Sequence, residues 1–227
     1  MATRRLRILV GDENPFIRTA YRRILETQPG LEIVGEASDG EEALQKGMVL
    51  APDVVVLDVR LPKLDGIEAS HRLLTHHPGT GIVIVSAYDD LEFLKELIRY
   101  GPESKAYLLK DTLYDITELI NVVEEVADGG TYIDNSIVHK IARMYVRQSR
   151  FLRAELTEGE EKVLELMAEG LNSTHISDTL HIDRSTAESH MTSINDKLGL
   201  PPGVTLSQEA VLAFVRQSVS DPSLLDI

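Results

Sequence analysis

Through residue 128 the chain alternates five times between short apolar runs and amphipathic stretches, and this rhythm limits the folds open to it. The apolar runs are LRILV (6–10), LEIVGEA (31–37), DVVVLD (53–58), GIVIVSA (81–87) and KAYLLK (105–110). Between and after them, residues 15–27, 40–48, 66–76, 90–100 and 113–127 carry helical periodicity. Leu91, Leu94, Leu97 and Ile98, for example, share one helical face. Strand–helix alternation of this kind predicts a doubly wound α/β domain around a five-stranded parallel sheet. The turn signal DGGTYID (128–134) ends it. Beyond it the spacing predicts a long helix over 136–153, with Ile137, Ile141, Met144, Tyr145 and Leu152 on one side. Helices over 157–169, 173–180, 184–198 and 206–218 follow. The expected organisation is an α/β domain over 1–128, a helical linker over 129–155 and a small all-α four-helix domain over 156–220.

In doubly wound sheets functional groups collect at the carboxyl ends of the strands, and four of these ends are polar. GDEN follows the first strand with Asp12 and Glu13, Asp58 ends the third, Ser86 closes the fourth and Lys110 follows the fifth. Three clustered carboxylates repel unless a cation sits among them, and oxygen ligands of this kind suit Mg²⁺. A carboxylate beside Mg²⁺ and an ammonium can attack phosphorus, because both cations neutralise the incoming phosphoryl oxygens. Any one of these residues alone reads as a solvated turn residue; four at successive strand ends favour a shared site.

Composition narrows the setting. In 227 residues the chain has 43% hydrophobic residues, enough for packed cores, and no cysteine, so it has neither disulfides nor thiolate metal sites. No apolar run approaches the length of a membrane span, and MATRRLRILVGDE is a poor signal peptide; a cytoplasmic setting is expected. The net charge of −14 is uneven. Residues 1–150 hold 18 Lys+Arg against 24 Asp+Glu, and residues 151–227 hold 5 against 13. One stretch opposes this trend: Lys140, Arg143, Arg147, Arg150 and Arg153 form a basic stripe, and 139–153 contains no acid. The stripe reads as a solvated face or as a surface that docks on the acidic second domain at rest and is freed by phosphorylation.

VVVLDVRLPKLDG, with GDE, VSA and AYLLKD, resembles the CheY-type receiver domains of two-component response regulators over residues 5–128. The resemblance implies that Asp58 accepts phosphate from a sensor histidine kinase. It further implies that Asp12, Glu13, Asp58 and the backbone carbonyl of Arg60 hold Mg²⁺. Ser86 would hydrogen-bond the phosphoryl group, Lys110 would pair with it, and Tyr107 would be the aromatic that turns inward on activation. Pro62 and Gly66 would shape the loop after the acceptor. Glu13 replaces the commoner second Asp, and GPESKAY (101–107) is about two residues longer than the family's usual loop. Arg60 and Tyr88 flank the acceptor where they can screen water and slow loss of the phosphoryl group. A phosphatase of the haloacid dehalogenase type is disfavoured: the second acid of its DxD motif is Arg60 here, so turnover of an outside substrate is not expected.

Residues 156–200 resemble the LuxR-type helix-turn-helix, and the two domains together resemble the NarL/FixJ arrangement of response regulators. The matches are Leu156, Thr157, Glu160, Val163, Leu164, Leu166, Gly170, Leu171, Ile176, Leu180, Ile182, Thr186, His190, Ile194, Lys197, Leu198 and Gly199. This implies sequence-specific DNA binding, transcriptional control and a homodimer when phosphorylated. Arg184, Ser185, Thr186, Glu188, Ser189 and Lys197 are the candidate DNA contacts. His190 reads better as a packing or capping residue than as a base reader. Ala210, Leu212, Ala213 and Val215 form either a dimer face or part of the core. The contact positions depart from the family: Thr174 and Glu188 stand where lysines are usual, and residues 156–200 hold 3 basic against 9 acidic residues. Because phosphate contacts supply most non-specific affinity, a second reading remains open. In it the chain is a phosphorylation-gated protein-interaction module whose acidic helix-turn-helix no longer binds DNA unaided.

Overall fold

Val, Ile and Leu crowd the apolar runs because a parallel strand covered on both faces has no solvent side to make polar. In the computed structural model, which describes residues 5–113, 116–148, 156–198, 200 and 205–220, these runs become strands. The chain divides into two units, Met1–Asp134 and Asn135–Ile227. The first unit contains β1 (Leu6–Gly11), α1 (Pro15–Leu25), β2 (Leu31–Ala37), α2 (Gly40–Leu50), β3 (Val54–Asp58) and α3 (Gly66–Leu74). It continues with β4 (Gly81–Ser86), α4 (Leu91–Ile98), β5 (Lys105–Leu109), α5 (Ile116–Ala127) and β6 (Thr131–Ile133). The sheet order is β2-β1-β3-β4-β5-β6, all parallel. Every residue of β3 and β4 is buried.

Helix starts are set locally. Asn14, Asp39, Asp65 and Asp90 cap α1, α2, α3 and α4, each side chain accepting a first-turn N–H. Alternate strand residues then serve opposite faces. Ile8, Val10, Val54, Val56, Val83 and Val85 pack under Tyr21 and Leu25 of α1 and Leu119, Val122, Val123 and Val126 of α5. On the other face α2, α3 and α4 bury Ala43, Ile67, Leu73, Leu94 and Leu97.

The sheet has six strands among the described residues rather than the expected five. The segment read as a turn signal contributes β6, which pairs with β5 through Lys105↔Thr131, Ala106↔Tyr132 and Tyr107↔Ile133. Three residues after a Gly-Gly are too few to show a period, yet Thr, Tyr and Ile suit an edge strand. Asp134 fixes its end. Its N–H donates to the Tyr107 carbonyl at 2.9 Å. Its buried carboxylate accepts from Thr112 Oγ1 and, at 3.3 Å, from the Leu109 N–H.

The second unit contains α6 (Asn135–Gln148), α7 (Glu158–Ala168), α8 (Ser173–Leu180), α9 (Arg184–Leu198) and α10 (Leu206–Ser220). The segment 129–155, expected as a linker, is therefore divided: β6 joins the sheet, while α6 packs on α10 and α7. Ile137, Ile141, Ala142 and Val146 are spaced to line one helical face, and all are buried. Among the described residues the expected four-helix domain thus has a fifth helix. Apolar packing holds α6 in place, which does not favour a helix docked by charge and later released. Arg143 is exposed; the side chain of Arg147, and Arg150, Leu152 and Arg153, lie outside the described residues. In α10, Leu206, Ala210 and Phe214 are buried, whereas Leu212 is exposed. Ala210 therefore closes the core. Among the described residues no helix is long and apolar enough to cross a membrane.

Replacing Asp134 with Ala removes the side-chain acceptor of the Leu109 N–H and one of two acceptors of the Thr112 hydroxyl, which keeps the Leu109 carbonyl at 3.1 Å. The expected loss is about 1.5–3 kcal/mol, the usual range for hydrogen bonds to a charged group. Urea unfolding of the full chain should show it in the transition of the first unit alone.

Candidate functional site

Parallel register brings the predicted polar residues to one edge of the sheet. Gly11 pairs with Leu57, Asp58 with Val85 and Ser86 with Leu109, so the strand ends carrying Asp12, Asp58, Ser86 and Lys110 are successive neighbours. The Lys110 N–H donates to the Ser86 carbonyl at 2.7 Å, fixing where the lysine leaves the sheet. Its ammonium reaches Asp12 Oδ2 at 2.7 Å and also Asp58 Oδ2. The second oxygens are held by backbone: Asp12 Oδ1 accepts the Asn14 N–H at 2.8 Å, and Asp58 Oδ1 accepts the Arg60 N–H at 3.0 Å. Burial pulls the Lys110 ammonium down, but hydrogen bonds and charge from Asp12 and Asp58 outweigh it and leave its pKa above the usual lysine value.

Both carboxylates are nearly sealed from solvent, with side-chain exposures of 1% for Asp12 and 11% for Asp58, against 24% for Lys110. Glu13 is exposed and is not drawn into this cluster. Among the described residues, no three acidic or imidazole groups already converge as metal ligands. Gly66 is forced by geometry: a Cβ there would lie 2.1 Å from the Asp58 carbonyl oxygen.

Ser86 and Tyr107 meet through the backbone of Tyr88, a residue whose peptide carries no sequence signal. The Tyr88 N–H donates to Ser86 Oγ at 2.9 Å, and the Tyr88 carbonyl accepts from Ser86 Oγ at 3.1 Å and from the Tyr107 hydroxyl at 2.8 Å. Tyr107 is turned inward and fully buried. Burial, chiefly, pushes its pKa up to about 12, so it stays a neutral donor. Arg60 extends outward, its guanidinium 4.2 Å from the Tyr88 ring centre and 5.9 Å from that of Phe93. In the longer loop before β5, Lys105 closes the chain on itself by donating to the Gly101 carbonyl at 2.7 Å.

The second unit presents a helix-turn-helix. His181 ends α8 at a φ of 54°, and the Asp183 carbonyl accepts the N–H groups of Thr186 and Ala187 to start α9. Ala187 and Ile194 of α9 are buried, while Arg184, Ser185, Thr186, Glu188 and Ser189 are exposed along it. Lys197 is placed differently. Its ammonium lies 2.8 Å from both oxygens of Glu160, which is buried and also accepts from Ser193 Oγ at 2.7 Å and from Thr157. Thr157 and Glu160 form a reciprocal capping box at the start of α7. Lys197 thus ties α9 to α7. The His190 ring lies 3.6 Å from where a Gly159 Cβ would stand, in keeping with a packing position.

Residues 8–124 match the family described as the response regulator receiver domain, and residues 154–210 match the bacterial regulatory proteins of the luxR family. The chain belongs to the response regulators. Its two domains give it the NarL/FixJ arrangement. The uncharacterized transcriptional regulatory protein YxjL of Bacillus subtilis is 32% identical over 85% of this chain and 89% of its own length. The signal receiver domain of NarL from Mycobacterium tuberculosis is similar at 31% identity and a TM-score of 0.51, covering 56% of this response regulator and 98% of that chain. RcsB of Salmonella typhimurium shares the fold over 92% of this chain and 99% of its own, at 22% identity and a TM-score of 0.54. RcsB has also been solved as two dimers bound to two parallel DNAs.

Sequence reasoning missed Glu160 as the acceptor for Lys197; Thr-x-x-Glu before an apolar run was the available signal. Hydrogen bonds from Lys197, then from the Thr157 N–H and Ser193, hold the Glu160 carboxyl far below its usual value of 4.5. A depressed carboxylate stabilises the fold above its unfolded pKa and loses that contribution as pH falls below it. Thermal melting of the response regulator should therefore show the second unit weakening between about pH 5 and pH 3, and Glu160→Gln should flatten that dependence.

Proposed function

We propose that this response regulator is phosphorylated on Asp58 by a sensor histidine kinase and that phosphorylation controls DNA binding by the second domain. The carrying observation is the Lys110 ammonium between Asp12 and Asp58 at the carboxyl end of β3. An ammonium already in contact with the acceptor stabilises charge on an incoming phosphoryl group without reorganisation.

The donor set fits Mg²⁺. Two buried carboxylates share one ammonium and keep a net negative charge, and Glu13 adjoins Asp12 on the open side. Asp12, Glu13, Asp58 and the Arg60 carbonyl would hold the ion. When bound, Mg²⁺ supplies charge neutralisation at the phosphoryl oxygens. Asp58 Oδ attacks phosphorus, the bond to the donor's leaving atom breaks, and an acyl phosphate forms. Lys110 then pairs with the phosphoryl group, and Ser86 Oγ turns from the Tyr88 peptide to donate to it. Because Tyr107 holds the same Tyr88 carbonyl, the two side chains report the change together. The Arg60 guanidinium over Tyr88 screens the site and slows hydrolysis.

DNA is the proposed target of the exposed face of α9, with Arg184, Ser185, Thr186, Glu188 and Ser189 in reach of it and Lys197 acting through its tie to Glu160. A homodimer in the phosphorylated state accompanies it. One observation favours the second reading, a protein partner: both lysine or arginine cations of α9 are already paired with carboxylates.

The test is capture of fragmented genomic DNA by protein activated with beryllofluoride and Mg²⁺, with Asp58→Ala as control. Enrichment of a shared repeat by the activated protein but not by Asp58→Ala is expected. No enrichment at low salt, from protein shown to be activated, would move the reading to a protein partner. Acetyl phosphate labelling in parallel should place the label on Asp58, and the label should decay faster in Arg60→Ala.

A further inference from the structure

Arg184 and Glu188 are in the wrong order for a helix-stabilising pair. At i,i+4 the acid is better placed toward the N-terminus, where it also meets the positive end of the helix dipole. Here the cation occupies the first turn of α9, whose first turn has no acid, and the anion follows. Exposed pairs of this kind add little stability. The arrangement calls for an explanation other than helix propensity.

The contact geometry supplies one. Arg184 donates through Nε to Glu188 Oε1 at 2.8 Å. Among the described residues its two terminal amino groups take part in no hydrogen bond. Ser173, from α8, donates its hydroxyl to the same Glu188 oxygen at 3.2 Å. Glu188 is thus anchored across the turn and in turn holds the guanidinium of a side chain that is 65% exposed. The first residues of a recognition helix are those that reach base edges in the major groove. A guanidinium offering two donors there matches the O6 and N7 acceptors of guanine, and no other base presents that pair.

Building on the DNA-binding reading above, we infer that Arg184 reads a guanine in each half-site and that Glu188, braced by Ser173, is its positioning residue. Glu188 therefore acts in opposite directions on two quantities. It lowers general attraction to the phosphate backbone, since an anion near DNA reduces counterion release. It raises discrimination, since a held guanidinium loses less freedom on forming its two bonds.

The experiment is selection from a pool of random duplexes by beryllofluoride-activated full chain, followed by affinity measurement on the selected duplex and on the same duplex with the guanine replaced. For the unsubstituted protein a preference of roughly ten- to hundredfold for guanine at one position per half-site is expected. Arg184→Lys keeps the charge but not the fork, and should bind DNA while losing that preference. Glu188→Ala should bind both duplexes more tightly and distinguish them less, a combination that mere damage to the helix would not produce. Ser173→Ala should shift in the same direction by a smaller factor. A selected site whose guanine preference survives Arg184→Lys overturns the assignment of Arg184. Discrimination undiminished in Glu188→Ala overturns the positioning role. If the activated, unsubstituted protein selects no duplex, the DNA-binding reading fails and the inference falls with it.

Discussion

One ammonium holds the receiver site together. Lys110 lies 98 residues from Asp12 and 52 from Asp58, yet it contacts both. Two carboxylates this buried would repel each other without a nearby cation. The order β2-β1-β3-β4-β5-β6 is what makes the contact possible, since β1, β3 and β5 must end at the same edge and β4 must supply the Ser86 carbonyl that fixes the Lys110 backbone. Gly66 belongs to the same constraint, because any side chain there would collide with the Asp58 carbonyl. The site is therefore a property of the sheet rather than of one loop.

From that point two routes lead outward along β5. Toward Asp58, the Ser86 and Tyr107 hydroxyls share the Tyr88 carbonyl, so rotation of one leaves that carbonyl to the other. Toward the end of the unit, Asp134 gathers the Tyr107 carbonyl, the Leu109 N–H and the Thr112 hydroxyl, immediately before α6 begins. Tyr107 and the residue preceding the next unit are thus hydrogen-bonded neighbours. In the second unit Lys197 serves Glu160, and Arg184 is paired with Glu188. If this acidic domain binds DNA as proposed, pairing of these cations makes it depend less on bulk phosphate attraction and more on directed hydrogen bonds.

Much of this was legible in the sequence. The five apolar runs, the helices between them and the polar strand ends needed only periodicity and the rule that sites form at carboxyl edges. What stayed hidden had physical causes. β6 is three residues long, too short to show a period. The membership of α6 in the second unit depends on what covers Ile137, Ile141, Ala142 and Val146, and a helix's own pattern cannot name its partner. Tyr88 acts through its peptide, which every residue possesses, so residue type carries no signal. Lys197 reads as a candidate DNA contact because its charge is visible, whereas its partner Glu160, 37 residues earlier, becomes visible only in three dimensions.

On the proposed function, the state of Asp58 governs electrostatic binding of DNA by the second domain. Its most direct test is the affinity of the full chain for one duplex across a salt series, with beryllofluoride activation and with Asp58→Ala. Because both lysine or arginine cations of α9 are paired with carboxylates, affinity of the activated protein is expected to fall with salt along a shallow slope, corresponding to only a few phosphate contacts per protomer. Much weaker binding by Asp58→Ala is expected at every salt concentration. Binding that is indifferent to salt, or equal in the two proteins, would contradict the proposed function.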